Sequence, residues 1–338
     1  MTRTAGGAAP ILTRRALNRA TVGRQGLLER AAMPALDMVG HLVAVQAQEP
    51  DAPYVGLWTR LEGFGHDELA RLLEDRLVVP SLPGFGFSTP VREPGWDLTR
   101  TTAAFAELMD RLGYDRYGAH GGDIGAGISG ALAAAQPTHV TGVHTTSDAN
   151  GVAVGEMFGF PVPDDLSQAD LARVEEQRRR WADMRGYLDL QSTRPQTLAY
   201  SLTDSPAGQL AWIAQSFKEW TAASAELPED AVDRDQLLAN VSIYWFTRSG
   251  ASAARFIYET AHAAADWGGA DDGGWEEPTA SVPMGLALFG GDDLLRKVMD
   301  PDHKLAHWTE YDRGGHFAAM EVPDLLVGDL RTFFRELR

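Results

Sequence analysis

Cysteine is absent from the 338-residue chain. Its absence excludes disulfides, thiolate catalysis and Cys-type zinc sites, and it fits a reducing compartment. Long apolar runs are also missing. No eighteen consecutive apolar residues occur, so no membrane span is expected. The opening residues, Met1 to Gly7, have no apolar core and do not read as a secretory signal, so the expected location is cytoplasmic. Lysine is absent before residue 80. Residues 1–79 carry nine Arg against nine Asp and Glu, so the net charge of −17 falls on the remainder. That acidic part repels nucleic acid, and no nucleic-acid partner is expected. The first thirty residues, with six Arg and one Glu, form the one basic cluster, which solvated helix faces explain. No internal repeat or low-complexity tract is visible.

What is present is a globular composition, 44% apolar and 23% charged, enough for one large domain with an insertion or for two domains. Leu12 to Arg30, Met38 to Val45 and Asp67 to Asp75 have helical periodicity. The character changes at Arg76–Pro80, a short β-branched strand that runs into a Gly/Pro loop, Ser81–Ser88. A helix is expected over Thr99–Leu112, a strand over Arg116–His120, a small-residue helix over Ala126–Ala135 and a strand over Val140–Thr146. This alternation implies a parallel sheet covered on both faces. From 151 to 275 strands are hard to find. Asp170–Leu190, Pro206–Ala222 and Asp235–Ala263 read as helices. Strands return at Val282–Phe289 and His307–Tyr311, and Pro323–Leu337 closes the chain as a helix. The expected organisation is therefore a helical segment (1–77), an α/β core (78–150 and 276–338) and a helical lid (151–275).

Gly121-Gly-Asp-Ile-Gly125 fits a nucleophile elbow, a tight strand-to-helix turn flanked by small residues, with aspartate where serine is usual. A carboxylate there sits near a helix N-terminus, which keeps it ionised. Carboxylate nucleophiles displace at carbon and form an ester. The plainer alternative is a Gly-rich turn with Asp123 as helix cap. Ser129 is a poorer nucleophile candidate because it falls inside the helix after the turn. The remaining partners follow in the order nucleophile, acid, histidine. Asp292 follows a strand in Gly290-Gly-Asp-Asp293, with Asp293 as the alternative acid, and His316 follows another in Asp312-Arg-Gly-Gly-His316. Both loops lie past strand ends, where open α/β sheets build their sites.

Six segments in order carry a resemblance: Val79-Pro-Ser-Leu-Pro-Gly-Phe-Gly-Phe-Ser88, Tyr117-Gly-Ala-His-Gly-Gly-Asp123, Leu190–Thr197, Thr203–Gly208, Leu237-Leu-Ala-Asn240 with Tyr244-Trp245, and Asp312-Arg-Gly-Gly-His-Phe-Ala-Ala319. They closely resemble the microsomal-type epoxide hydrolases over about 78–338. The resemblance implies an α/β-hydrolase fold with a lid and the conversion of a small-molecule epoxide and water to a vicinal diol. No cofactor and no metal are implied. It puts the nucleophile at Asp123, the acid at Asp292 and the base at His316. It puts a lid tyrosine that protonates the oxirane oxygen at Tyr187 in Arg185-Gly-Tyr-Leu-Asp189; an aromatic of the lid core is the alternative there.

Three departures accompany it. The residue after the nucleophile, usually Trp, is Ile124, which would serve the oxyanion hole through its backbone N–H. The second lid tyrosine's position is Ile257, leaving Tyr258 as the tentative donor. No His-Gly-x-Pro oxyanion loop occurs, and the strands that precede Val78 in that family are replaced. Residues 11–76 instead resemble the opening of winged-helix proteins related to DNA glycosylases, through Leu12–Arg15, Leu42-Val-Ala-Val-Gln-Ala-Gln48 and Tyr54–Arg60. The join at about 73–79 reads as a fusion of two truncated genes. A DNA-binding or base-excision role through residues 1–76 is the alternative function, which the zero net charge there disfavours. A homo-oligomer stays open.

Overall fold

The computed structural model describes residues 78–157, 159–263 and 282–337, together with Ala32 and Glu62. Helix α1 (Leu98–Arg111) begins where the Asp97 carboxylate accepts the Arg100 N–H at 2.7 Å, an N-cap that satisfies an otherwise orphan donor. Strand β1 (Tyr117–Gly122) runs through the elbow into α2 (Ile124–Ala135), whose Ile128 and Leu132, one turn apart, are buried. Strand β2 (Val140–Asp148), β3 (Met284–Phe289) and β4 (His307–Tyr311) complete a parallel sheet of order β1-β2-β3-β4 among the described residues. All four strands therefore point their carboxyl ends the same way.

The sheet is covered on both faces, as its alternation predicts. Ala119 and Val143 pack with Ile128, Leu132 and Ala133 of α2 on one side. On the other lies the closing helix α13, Pro323–Arg335, whose Leu326 joins Ala287 and Phe289 of β3. Phe333 of the same helix is 2% exposed. Burying a side chain of that size stabilises the fold by roughly 1.5–3 kcal/mol.

Between β2 and β3 the described residues are helical: α3 (Gly151–Met157), α4 (Gln168–Met184), α5 (Gly186–Thr193), α6 (Pro195–Asp204), α7 (Pro206–Trp220), α8 (Pro228–Ala231), α9 (Arg234–Thr247) and α10 (Gly250–Ala263). Two short helices, α11 (Leu294–Met299) and α12 (Ala318–Glu321), follow β3 and β4. Among these described residues no helix is long and apolar enough to cross a membrane.

Several expectations need correction. The strand expected at Arg76–Pro80 is absent over its described part, where Val78–Pro80 has no regular structure and Val79 is exposed. The rest of that stretch, and the helices expected before it, lie outside the described residues. The single helix expected over Asp170–Leu190 breaks at Arg185, whose ψ of −2° lies between the end of α4 and the start of α5. Likewise Asp235–Ala263 is two helices. Arg248 adopts a left-handed φ of 56°, and its N–H closes back on Trp245 and Tyr244. Apolar periodicity continues across both breaks, so it could not reveal them.

Candidate active site

Asp123 stands between β1 and α2 with φ 52° and ψ −126°, a strained conformation for a residue with a Cβ. Close packing holds it there. A methyl group at Gly121 would lie 2.2–2.7 Å from backbone atoms of Gly125, so β1 can pass α2 this closely only with glycine at 121. The turn lifts the carboxylate to the carboxyl end of the sheet, half-exposed at 48%. Its Oδ1 accepts the Ile124 N–H at 2.6 Å. Its Oδ2 lies 3.1 Å from His316 Nε2.

His316 reaches Asp123 from the loop after β4. The loop is fastened on both sides: His316 N–H donates to the Trp220 carbonyl at 2.9 Å, and Glu321 accepts from Phe317 N–H at 2.9 Å and Ala222 N–H at 2.8 Å. The imidazole is 23% exposed, with Trp220 against it at a ring separation of 5.1 Å. Burial alone would lower its pKa. The hydrogen bonds and charges of Asp123 and Asp148 outweigh that and push it up to about 10. For Asp123, desolvation works toward a higher pKa, and the His316 bond and charge with the Ile124 N–H outweigh it, so the carboxyl is held below its ordinary value.

The carboxylate on the far side of His316 is Asp148, not Asp292. Asp148 Oδ2 is 2.7 Å from His316 Nδ1. Asp148 is the last residue of β2, paired in register with Phe289 at the end of β3. Asp292 lies in the loop after β3, 56% exposed, with Oδ2 2.5 Å from Arg173 Nη2. Asp293, the alternative acid, is bound to Arg173 and Lys297 at 2.9 Å each. Both sit beyond the strand end and are drawn outward by cations on α4 and α11. The sequence signal for Asp148 was weak but present: an acidic residue at the end of an apolar strand, followed by Asn150, whose N–H it accepts at 2.7 Å.

Tyr187 opens α5 and turns its ring edge-on to Trp220, 4.7 Å away, and to Trp181 at 6.5 Å. Burial raises its phenol pKa, and the negative charges of Asp123 and Asp148 add to the rise. Tyr258 is not brought to this group. It stacks on His262 at 3.9 Å, and its carbonyl accepts from that ring. Ile257 carries no hydroxyl, whereas Tyr187 is linked to the His316 side through Trp220, whose ring meets both.

A second polar cluster lies behind the strands. The Asp329 carboxylate, 3% exposed, takes His144 Nε2 at 2.7 Å, His307 Nε2 at 3.1 Å and the Tyr311 hydroxyl at 3.0 Å. His120 Nδ1 meets His144 Nδ1 at 3.0 Å. Desolvation, aided by the neighbouring His144, pushes His120 down to about 4. His144, His307 and Asp329 are close enough to ligate a cation, but each of these atoms already has a hydrogen-bond partner in the cluster. Hydrogen bonding accounts for the group.

A family described as "DNA glycosylase AlkZ-like" matches residues 39–83, consistent with the resemblance of the N-terminal stretch. A Stigmatella aurantiaca protein assigned as an epoxide hydrolase is 40% identical over 78% of this chain and 56% of its own length. Epoxide hydrolase 1 of Sus scrofa is 31% identical over 76% of this chain and 59% of its own. The crystal structure of juvenile hormone epoxide hydrolase from the silkworm Bombyx mori superposes with a TM-score of 0.56 at 28% identity, covering 77% of this chain and 59% of that one. The chain thus spans less than two thirds of the length of these relatives. Across the stretch they share, it has the α/β-hydrolase fold and is a homologue of the microsomal and juvenile-hormone epoxide hydrolases.

Proposed function

We propose that the chain hydrolyses an epoxide to a vicinal diol through an ester on Asp123. The observation that carries this reading is the imidazole of His316 set between a carboxylate at an elbow, 3.1 Å away, and a second carboxylate at 2.7 Å. Asp123 Oδ2 attacks an oxirane carbon. The carbon–oxygen bond breaks, and the oxygen takes the Tyr187 proton. Asp123 Oδ1 becomes the ester carbonyl oxygen and stays on the Ile124 N–H, placed to stabilise negative charge when water adds. His316 takes the proton of that water and returns it to the departing diol oxygen. The new carboxylic acid of Asp123 ionises, and its proton restores Tyr187 by way of solvent.

Charge explains the order of steps. At neutral pH the resting His316, with a pKa of about 10, is an imidazolium paired with Asp123. Esterification removes the Asp123 charge, so a main support of the imidazolium disappears; His316 releases its Nε2 proton to solvent, regained at the end of the cycle, and can then act as a base. Helices α4 to α10 cover the site as a lid in this reading. The cysteine-free composition suits a cytoplasmic enzyme. The AlkZ-like match favours a DNA-related role only for residues that lie almost wholly outside the described part, and their charge, three Arg against seven Asp and Glu over 39–83, weighs against it.

The test is trapping. His316→Gln should still be alkylated by styrene oxide but not hydrolyse the ester, so mass spectrometry should find the adduct on Asp123. Asp123→Asn should show no adduct. An unmodified Asp123 in the His316→Gln protein, with activity present in the parent chain, overturns the assignment.

A further inference from the structure

Two carboxylates of this chain stand near the carboxyl ends of neighbouring strands, and they do different things. Asp148 is 12% exposed and is fixed at both oxygens: Oδ2 faces His316 Nδ1 at 2.7 Å and Oδ1 accepts the Asn150 N–H at 2.7 Å. Asp292 is 56% exposed and equally committed, with Oδ2 on Arg173 Nη2 at 2.5 Å and Oδ1 accepting the Leu294 N–H at 3.1 Å. Arg173 also binds Asp170 at 2.7 Å and Asp293 at 2.9 Å. Lys297 binds Asp170 at 3.0 Å and Asp293 at 2.9 Å. Three aspartates and two cations thus form one network between α4 and the segment around α11.

We infer that Asp148 is the positioning carboxylate for His316, and that Asp292, standing where the epoxide-hydrolase resemblance puts the acid, instead ties helix α4 to the α/β core through Arg173. The strand order makes the exchange workable. β2 lies between β1, which carries Asp123, and β3. A carboxylate ending β2 is therefore one strand nearer the nucleophile than a residue beyond β3. Positioning requires an acceptor for Nδ1–H that is shielded from water, so that the other ring nitrogen alone faces the reacting water. Asp148 meets that requirement. Asp292, half in solvent, could do so only by abandoning Arg173, whose guanidinium would then face Asp170 and Asp293 alone.

The kinetic arm of the test rests on the epoxide-hydrolase reading, but the titration arm does not. In the full chain, the His316 imidazole is titrated by NMR, its signal identified by loss in His316→Gln. Asp148→Asn should move the His316 pKa down from about 10 toward the ordinary histidine range. Asp292→Asn should leave it in place and instead speed amide hydrogen exchange over residues 168–184. With styrene oxide, Asp148→Asn should slow hydrolysis of the Asp123 ester by roughly 10³–10⁴-fold, as a histidine left in the wrong tautomer does. Asp148→Glu should recover part of both the pKa and the rate, which a merely structural role would not give. A His316 shift in Asp292→Asn, in both variants or in neither overturns the assignment. If the titration behaves as expected and no epoxide is turned over by the parent chain, the function reading fails while the pairing stands.

Discussion

Two glycines four residues apart should respond to the same substitution in opposite ways. Gly121 and Gly125 bracket Asp123 in Gly-Gly-Asp-Ile-Gly. A Cβ at Gly121 meets the Gly125 backbone carbon at 2.2 Å, its oxygen at 2.3 Å and its Cα at 2.7 Å. Real Cβ atoms do not approach so closely, and backbone in a helix's first turn has nowhere to go. A Cβ at Gly125 meets nothing within 4 Å among the described residues. Overpacking a tight site costs about 1–3 kcal/mol when side chains can yield, and here only backbone could, so Gly121→Ala should cost at least ~3 kcal/mol. Gly125→Ala, inside α2, should gain ~0.5–1 kcal/mol from helix propensity. At roughly 2–4 °C per kcal/mol for a domain of this size, the two Tm values should separate by about 7 °C or more. Circular dichroism melts of both variants and the parent measure this. Because the clash pushes β1 from α2, Gly121→Ala should also tilt Asp123 off His316 and lose styrene oxide hydrolysis at temperatures where it stays folded. Equal melting of the two variants, or an active Gly121→Ala, would refute the packing argument.

Tyr187→Phe should lower kcat/KM for styrene oxide by ~10²–10⁴-fold, because the described residues offer no second tyrosine on the oxirane oxygen; single-turnover kinetics should locate the loss in ester formation, and loss in ester hydrolysis alone would contradict the assignment. Asp329→Ala strips the acceptor from His144, His307 and Tyr311 and should cost about 3–5 kcal/mol in urea unfolding at pH 7. Desolvation of Asp329 raises its pKa, but those donors outweigh it and hold the carboxyl far below its usual range, so its contribution is present above about pH 4 and lost as pH falls further. The gap between parent and variant should therefore narrow below pH 4, and a gap that widens there would sink this account.

The fold was legible wherever one pattern sufficed. Thr99–Leu112, Val140–Thr146, His307–Tyr311 and the closing helix were each read to within about two residues, because apolar spacing and Gly or Pro punctuation agreed. The helical block was less legible, for a physical reason. A helix break needs only one residue's ψ or φ to change, as at Arg185 and Arg248, and the cue beside each, Gly186 and Gly250, is a residue that helices also tolerate in their interior. The apolar face resumes on the next helix, so periodicity reads straight through. The first break matters for the site, since it starts a new helix at Gly186 and turns Tyr187 toward Trp220.

The elbow at Asp123 and the loop at His316 were readable because each demands residue types that little else demands: a small-residue strand-to-helix turn, and a histidine in a Gly-rich loop past a strand. The orienting acid makes no such demand. Any carboxylate within reach of Nδ1 will serve, so residue type and chain order admit Asp148, Asp292 and Asp293 alike. What separates them is competition for cations, which is invisible in the linear chain. Arg173 lies more than a hundred residues before Asp292, on a helix the sequence reads only as amphipathic, and it captures that carboxylate at 2.5 Å. Among the described residues Asp148 pairs with no cation other than His316, and its remaining oxygen is held by Asn150 N–H. A carboxylate as buried as Asp148 would be unstable beside an unsatisfied imidazole N–H, and so would the reverse. The pairing of Asp148 with His316 and of Asp292 with Arg173 is the arrangement that leaves neither charge alone.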